Sequence, residues 1–196
     1  FSSLIIARDR FLKPDGCVFP SEANLYMTGI EDADYRNQKI GYWNNVYGFK
    51  YSAMQKVALV EPLIETCPTD GILAKEVVLK KFDMKTITLE DISFTAPFEL
   101  HPDVNNILHA FVFWFDVIFK GTGKPIKFTT SPYYNETCYY QTVCYLNDPI
   151  SVNTNSSLTG TVSMKPNEEN PRNEDMKIEF DNMQGQHYTQ SYLLKV

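Results

Sequence analysis

Leu108-His109-Ala110-Phe111-Val112-Phe113-Trp114-Phe115-Asp116-Val117-Ile118-Phe119 is apolar on both faces of a pleat, with Phe111, Phe113 and Phe115 alternating with Val112, Trp114 and Ile118. Successive side chains of a strand point to opposite faces, so a strand of this kind is buried on both sides and belongs in the middle of a core. Further strand-like runs surround it, over residues 23–30, 72–83, 86–89, 93–100, 126–130, 137–146, 158–165, 176–181 and 188–195. Turn residues separate these runs, and no helical pattern intervenes after Pro62. That predicts a mainly β fold, an antiparallel barrel or sandwich. Residues 16–20 read as a short extra strand and residues 166–175 as an exposed polar loop.

Two segments break the β pattern. Phe1, Leu4, Ile5, Ala7, Phe11 and Leu12 recur at helical spacing up to the stop signal Pro14-Asp15-Gly16. The chain is therefore expected to open inside a helix begun upstream, as a fragment does. It starts at Phe1 without a basic, apolar leader, so a signal peptide is expected to be absent or already removed. In residues 31–60, Asp32 or Asp34 can cap a helix, Ile40, Trp43, Val46 and Tyr47 recur at helical spacing, and Gly48 supplies a stop. One helix with an aromatic stripe is predicted there. The stripe can pack on its own domain or dock on another subunit.

Composition limits the partners. The 196 residues are 43% apolar and 21% charged, enough for one large domain or two small ones, and the net charge of −6 disfavours a phosphate polymer. The longest nearly uncharged stretch, residues 107–119, contains Asp116 and falls short of the roughly 18–20 residues a membrane span requires. Neither nucleic acid nor membrane is expected as a direct partner.

The motifs of common chemistries are missing. Gly121-Thr122-Gly123-Lys124 lacks the spacing of a phosphate loop and lies between strands, so it reads as a hairpin turn; no Gly-x-Gly-x-x-Gly fingerprint occurs. His101, His109 and His187 stand apart, without the paired ligands a zinc site needs, and His109 reads as a hydrogen-bonded core histidine. Cys17, Cys67, Cys138 and Cys144 form no C-x-x-C pair. On one strand Cys138 and Cys144 would lie about 20 Å apart, beyond the reach of a disulfide, so free thiols in a reducing compartment are expected. Cys138 has no histidine close in sequence and reads as an idle thiol rather than a nucleophile. The sequons at Asn135 and Asn155 read as chance patterns. Tyr133, Tyr134, Tyr139, Tyr140 and Tyr145 can line a groove or fill core.

An ordered series of short motifs goes further: Ala7-Arg8-Asp9-Arg10-Phe11-Leu12, Phe19-Pro20, Leu25-Tyr26-Met27-Thr28-Gly29-Ile30-Glu31-Asp32, Asn45-Val46-Tyr47-Gly48-Phe49, Trp114-Phe115-Asp116, Thr130-Ser131-Pro132 and Gln141-Thr142-Val143. Together they resemble the C-terminal half of a type I protein arginine N-methyltransferase, along essentially the whole chain. The resemblance implies that residues 1–20 are the tail of a Rossmann-like, S-adenosylmethionine-binding domain, a helix and strand remnant. Residues 21–196 would be the β-barrel substrate-binding domain, with an inserted helical dimerisation arm at about 33–56. Pro20 matches a domain-junction proline that is typically cis. Tyr35, Ile40, Trp43, Tyr47 and Phe49 become expected dimer contacts, in a homodimer or heterodimer.

The family's cofactor loop and catalytic glutamates are expected upstream, so neither catalytic residues, bound S-adenosylmethionine nor a metal is expected in this chain alone. The family's Thr-His-Trp loop, which helps form the pocket for the substrate arginine, is matched by Thr137, Cys138 and Tyr139. Cysteine cannot make the charge-assisted hydrogen bond of an imidazole to a carboxylate, although Tyr139 can still form an aromatic wall. The resemblance thus implies either an enzyme acting on Arg-rich proteins in the cytoplasm or nucleus, or a catalytically inactive regulatory subunit of one.

Overall fold

The computed structural model describes every residue except Thr122, Ser156, Met183, Gln184 and Val196. The turn read at Thr122 and the sequon containing Ser156 therefore lie partly outside the described residues. Among the described residues, ten strands form two antiparallel sheets. The larger runs in the order β2 (Leu63–Glu65), β7 (Gln141–Val152), β5 (Asn106–Phe119), β1 (Glu22–Ile30), β3 (Val77–Asp83), with β6 (Ile126–Thr129) paired to the end of β5. The smaller runs β10 (His187–Leu194), β9 (Glu174–Asp181), β8 (Leu158–Pro166), β4 (Phe94–Leu100).

β5 is the axis, as its two apolar faces predict. It pairs with β1 (Phe113 opposite Met27) and with β7 (Phe111 opposite Cys144). Phe111 and Phe113 enter the core between the sheets, with Met27, Phe98, Val162, Ile178 and Phe180. Val112 and Trp114 enter a second cluster on the far face, with Ile30, Ile40, Cys67, Val143 and Tyr145. The fold is a sandwich drawn together at its margins. At one margin Gln190 Nε2 and Tyr192 Oη donate to the Tyr145 carbonyl, at 2.8 and 3.0 Å. At the other, Phe82 of β3 meets Phe94 of β4 edge-on at 5.9 Å.

Helix α1 (Ser2–Phe11) docks on this body through Ile5, which joins Phe82, Met84 and Ile87, and through Arg8, whose guanidinium donates to the Met84 and Ile87 carbonyls. The Phe19–Pro20 bond is cis, as the resemblance implies. His109 is buried and hydrogen-bonded, accepting the Asp32 N–H at Nδ1, 3.2 Å away. All four cysteines are free, Cys67 and Cys144 buried and Cys17 and Cys138 exposed. Among the described residues no helix is long and apolar enough to cross a membrane.

Several expectations need correction. Residues 16–19 form no strand, and residues 86–89 lie in a turn leading to a 3-10 helix at Glu90–Ile92. The strand expected from residue 72 starts at Val77, after an isolated bridge at Ile72. The strand expected from Thr137 starts at Gln141, which leaves Cys138 in a loop rather than on a strand with Cys144. The single helix expected across residues 31–60 is three pieces: α2 (Ala33–Lys39), a 3-10 turn (Gly41–Asn44) and α3 (Ser52–Val60). Tyr47 at φ 53° and Gly48 at φ 89° turn the chain between them, a conformation that no helix interior permits.

Candidate functional site

Two features project from the sandwich. The first is the arm formed by α2, the 3-10 turn and α3. Asp32 caps α2 by accepting the Tyr35 N–H at 3.3 Å, and its second carboxylate oxygen accepts the Tyr145 hydroxyl at 2.5 Å, which ties the cap to β7. Arg36 reaches across to the Leu146 and Asn147 carbonyls, at 3.3 and 2.7 Å. Burial lowers its pKa, with Asp148 opposing. The base of the arm is therefore fastened to the sheet by partly buried polar contacts through Asp32 and Arg36.

The arm's aromatic residues divide by position. Ile40, expected as a dimer contact, is 1% exposed and sits in the chain's own second core cluster. Tyr35 also turns inward, its ring stacked on Tyr145 at 6.3 Å and its hydroxyl donated to Glu65. Helical spacing puts Ile40 on one stripe with Trp43, Val46 and Tyr47, but α2 ends at Lys39 before the stripe can continue. Trp43 is half-buried beside Tyr42, whose ring meets it edge-on at 5.3 Å. At the tip, Tyr47 is 95% exposed and Phe49 68%, followed on α3 by exposed Met54 and Val57. The turn holding Tyr47 outward is locked by the Gly48 N–H bond to Asn45 Oδ1, 2.9 Å, and by paired backbone bonds between Val46 and Phe49. An unpartnered patch of large apolar side chains is what an association surface requires.

The second feature is the loop between β6 and β7. Thr137 Oγ1 accepts the Tyr139 N–H and donates to the Tyr139 carbonyl, both at 3.0 Å, so these two residues form a closed turn with exposed Cys138 at its apex. Tyr139 lays its ring against Phe115 and Phe128, at 5.6 and 6.2 Å. Below lies a polar cavity of about 210 Å³ whose lining includes Thr130, Tyr134, Glu136, Thr137, Tyr139 and Gln141, and no histidine. Tyr133, Tyr134, Tyr139 and Tyr140 are exposed, whereas Tyr145 is core.

The loop stands on a support that pattern reading passed over. Buried Gln141 accepts the Cys67 N–H at 2.8 Å and donates to the Thr130 carbonyl at 2.7 Å, joining the segment before β3 to the start of the loop. Gln141 belongs to a quoted motif, but its amide partners are distant in sequence and nothing local signals them. Burial pushes the neighbouring Cys67 thiol up to about 12, with Asp32 adding to the effect, so it stays protonated.

A two-sheet β domain carrying a rigid, aromatic-tipped arm is an association module. Residues 21–186 match the model of the arginine methyltransferase oligomerization subdomain, and the chain belongs to that family. It is 40% identical over 178 residues to protein arginine N-methyltransferase 1 of Schizosaccharomyces pombe, a match spanning 91% of this chain and 52% of that protein. It is also 40% identical over 185 residues to protein arginine N-methyltransferase 1.1 of Arabidopsis thaliana, spanning 94% and 47%. The chain thus spans about half the length of the curated relatives it matches.

Among solved structures, it superposes on a chain of the Trypanosoma brucei PRMT1 enzyme-prozyme heterotetrameric complex with AdoHcy at TM-score 0.94 and 30% identity, covering 98% of this chain and 62% of that one. Arabidopsis thaliana protein arginine methyltransferase 10 shares the fold at TM-score 0.81 and 22% identity, covering 97% and 64%. The cavity beside α1 is a poor match for S-adenosylmethionine, the methyl donor this family implies. The cavity of about 390 Å³ beside α1 is lined by apolar groups such as Phe1, Leu25, Phe82 and Phe115, with Glu174 as its one charged side chain. Asn24 and Glu174 are its polar side chains, and neither can pair with the carboxylate of an amino-acid headgroup by charge.

Proposed function

We propose that this chain is the substrate-binding and dimerisation part of a protein arginine N-methyltransferase of type I, which transfers methyl groups from S-adenosylmethionine to arginine guanidinium groups of Arg-rich proteins in the cytoplasm or nucleus. In this reading residues 1–20 end the cofactor-binding domain, residues 21–196 form the substrate-binding body, and the arm at about 33–56 clasps a second subunit, identical or related. The observation that carries it is the family match running through 21–186, together with the exposed aromatic tip of the arm.

The division of labour is physically sensible. Methyl transfer to a permanently protonated guanidinium needs precise alignment and carboxylates that orient the group. This chain's residues do not carry the donor. They contribute a wall at Thr137 and Tyr139, with Glu136 able to attract a cationic side chain, and a clasp at Tyr47 and Phe49. A net charge of −6 raises the encounter rate with basic substrates in a salt-dependent way.

The test is mass-spectrometric detection of methylarginine on an Arg-rich peptide incubated with the full-length protein and S-adenosylmethionine. Dimethylation on one nitrogen is expected, and Cys138→His is expected to raise the rate about tenfold, the scale of one charge-assisted bond made in the transition state. Absence of methylarginine under all conditions, including with a related subunit added, overturns the reading.

A second reading has its own support. The resemblance puts Cys138 at the position of the family's loop histidine, and the similar Trypanosoma brucei chain belongs to an enzyme-prozyme complex. A regulatory subunit would leave the peptide unmethylated alone while raising the activity of a catalytic partner.

A further inference from the structure

A second cavity of about 320 Å³ shares Thr66 and Cys67 with the loop cavity and is lined from α2, β2 and β7. Its walls include Asp32, Tyr35, Lys39, Glu65, Cys67 and Tyr145. The two tyrosine rings stack at an interplanar angle of 15°, and each hydroxyl donates to a carboxylate: Tyr35 to Glu65 at 3.2 Å and Tyr145 to Asp32 at 2.5 Å. Burial first, and then the facing carboxylates, raise the pKa of both phenols, so they remain donors.

Neither carboxylate forms an ion pair with a lysine, arginine or histidine among the described residues. The chain's own Lys39 shows what the cavity accepts, because its ammonium sits 5.2 Å above the Tyr35 ring. Lys39 is exposed and can leave that seat. An aromatic face beside an unneutralised carboxylate suits a guanidinium better than an ammonium, since its plane stacks on the ring while its fork of donors meets the carboxylate.

We infer that this cavity is a second guanidinium site, holding a neighbouring arginine of the same polypeptide whose target arginine lies at the loop cavity. The inference rests on the proposed arginine-methyltransferase reading for the identity of that polypeptide. Both cavities are bounded by Thr66 and Cys67, so one extended peptide can occupy both. The site gives preference for substrates with more than one arginine without contributing to the chemistry.

The experiment measures binding of two peptides to the 196-residue chain by calorimetry: one carries two arginines, and the other has one of them replaced by uncharged citrulline. The two-arginine peptide is expected to bind about tenfold tighter, the usual worth of a cation placed against a ring and a carboxylate. Glu65→Gln is expected to erase that difference, and Lys39→Met, which removes the resident competitor, to enlarge it. A thermal melt confirms that each variant is folded. Equal affinity for the two peptides in the unmodified chain, or an undiminished difference in Glu65→Gln, overturns the site. Methylation of a one-arginine peptide by the full-length protein is a separate readout: its loss counts against the enzyme reading and leaves the binding result standing.

Discussion

The double variant Tyr47→Ala/Phe49→Ala in the full-length protein is expected to weaken dimerisation by about a hundredfold or more, close to 3 kcal/mol, while leaving each subunit folded. Both side chains stand clear of their own domain, at 95% and 68% exposure, so truncating them removes nothing from the core. Large aromatic groups presented on a rigid turn lose little entropy on docking and dominate interface energies. The rigidity here comes from the Asn45–Gly48 bond, the Val46–Phe49 backbone pair and the anchoring of α2 by Asp32 and Arg36. Sedimentation across a dilution series reads the effect. An unchanged monomer–dimer midpoint would relocate the interface away from the arm tip. Trp43 is the weaker target, because its ring is half-buried beside Tyr42 and its removal would disturb the arm itself.

Phe111→Ala is expected to lower the unfolding free energy by about 3–5 kcal/mol, the range for a large aromatic truncated in a close-packed core. Phe111 is fully buried on the central strand and meets Phe98 of β4 and Phe180 of β9 edge-on, at 5.8 and 5.2 Å. It is thus one of the contacts through which the two sheets hold one another, and the cavity left behind would open on both. Urea titration measures the loss. A change below about 1 kcal/mol would mean that neighbouring side chains collapse into the space, contrary to the tight packing assigned to this site.

The β architecture was legible because its signal is local. Phe111, Val112, Phe113 and Trp114 announce a strand buried on both faces, and the structure puts them alternately into two clusters separated by the sheet. The series of strands after Pro62 was legible for the same reason. What failed were readings that extended a period across a break. Ile40, Trp43 and Tyr47 fit one helical stripe, yet α2 ends at Lys39, a 3-10 turn follows, and the positive φ at Tyr47 and Gly48 reverses the chain, so Ile40 drops into the core while Tyr47 faces out. Gly48 is the local signal of that break, since a glycine takes up the positive φ at little cost.

The loop illustrates the opposite limit. Thr137 and Tyr139 are short-range partners and form their turn locally, but the support of that turn depends on Gln141 meeting Cys67, 74 positions earlier. The pairing of Asp32 with Tyr145 spans 113 positions. Single-sequence patterning carries no information on such distances, because a buried amide or carboxylate reveals its partner only when the sheet order is known. Similarity of ordered motifs supplied the family, whereas periodicity alone led only to a β-rich domain.

The division of the active centre is tested most directly by calorimetric titration of S-adenosylmethionine into the 196-residue chain. The expected result is no heat of binding, since the cavity beside α1 is lined mainly by apolar groups, with Asn24 and Glu174 its polar side chains. Saturable binding at one molecule per chain would contradict the assignment of this polypeptide as wall and clasp, and would place the methyl donor's site within these residues.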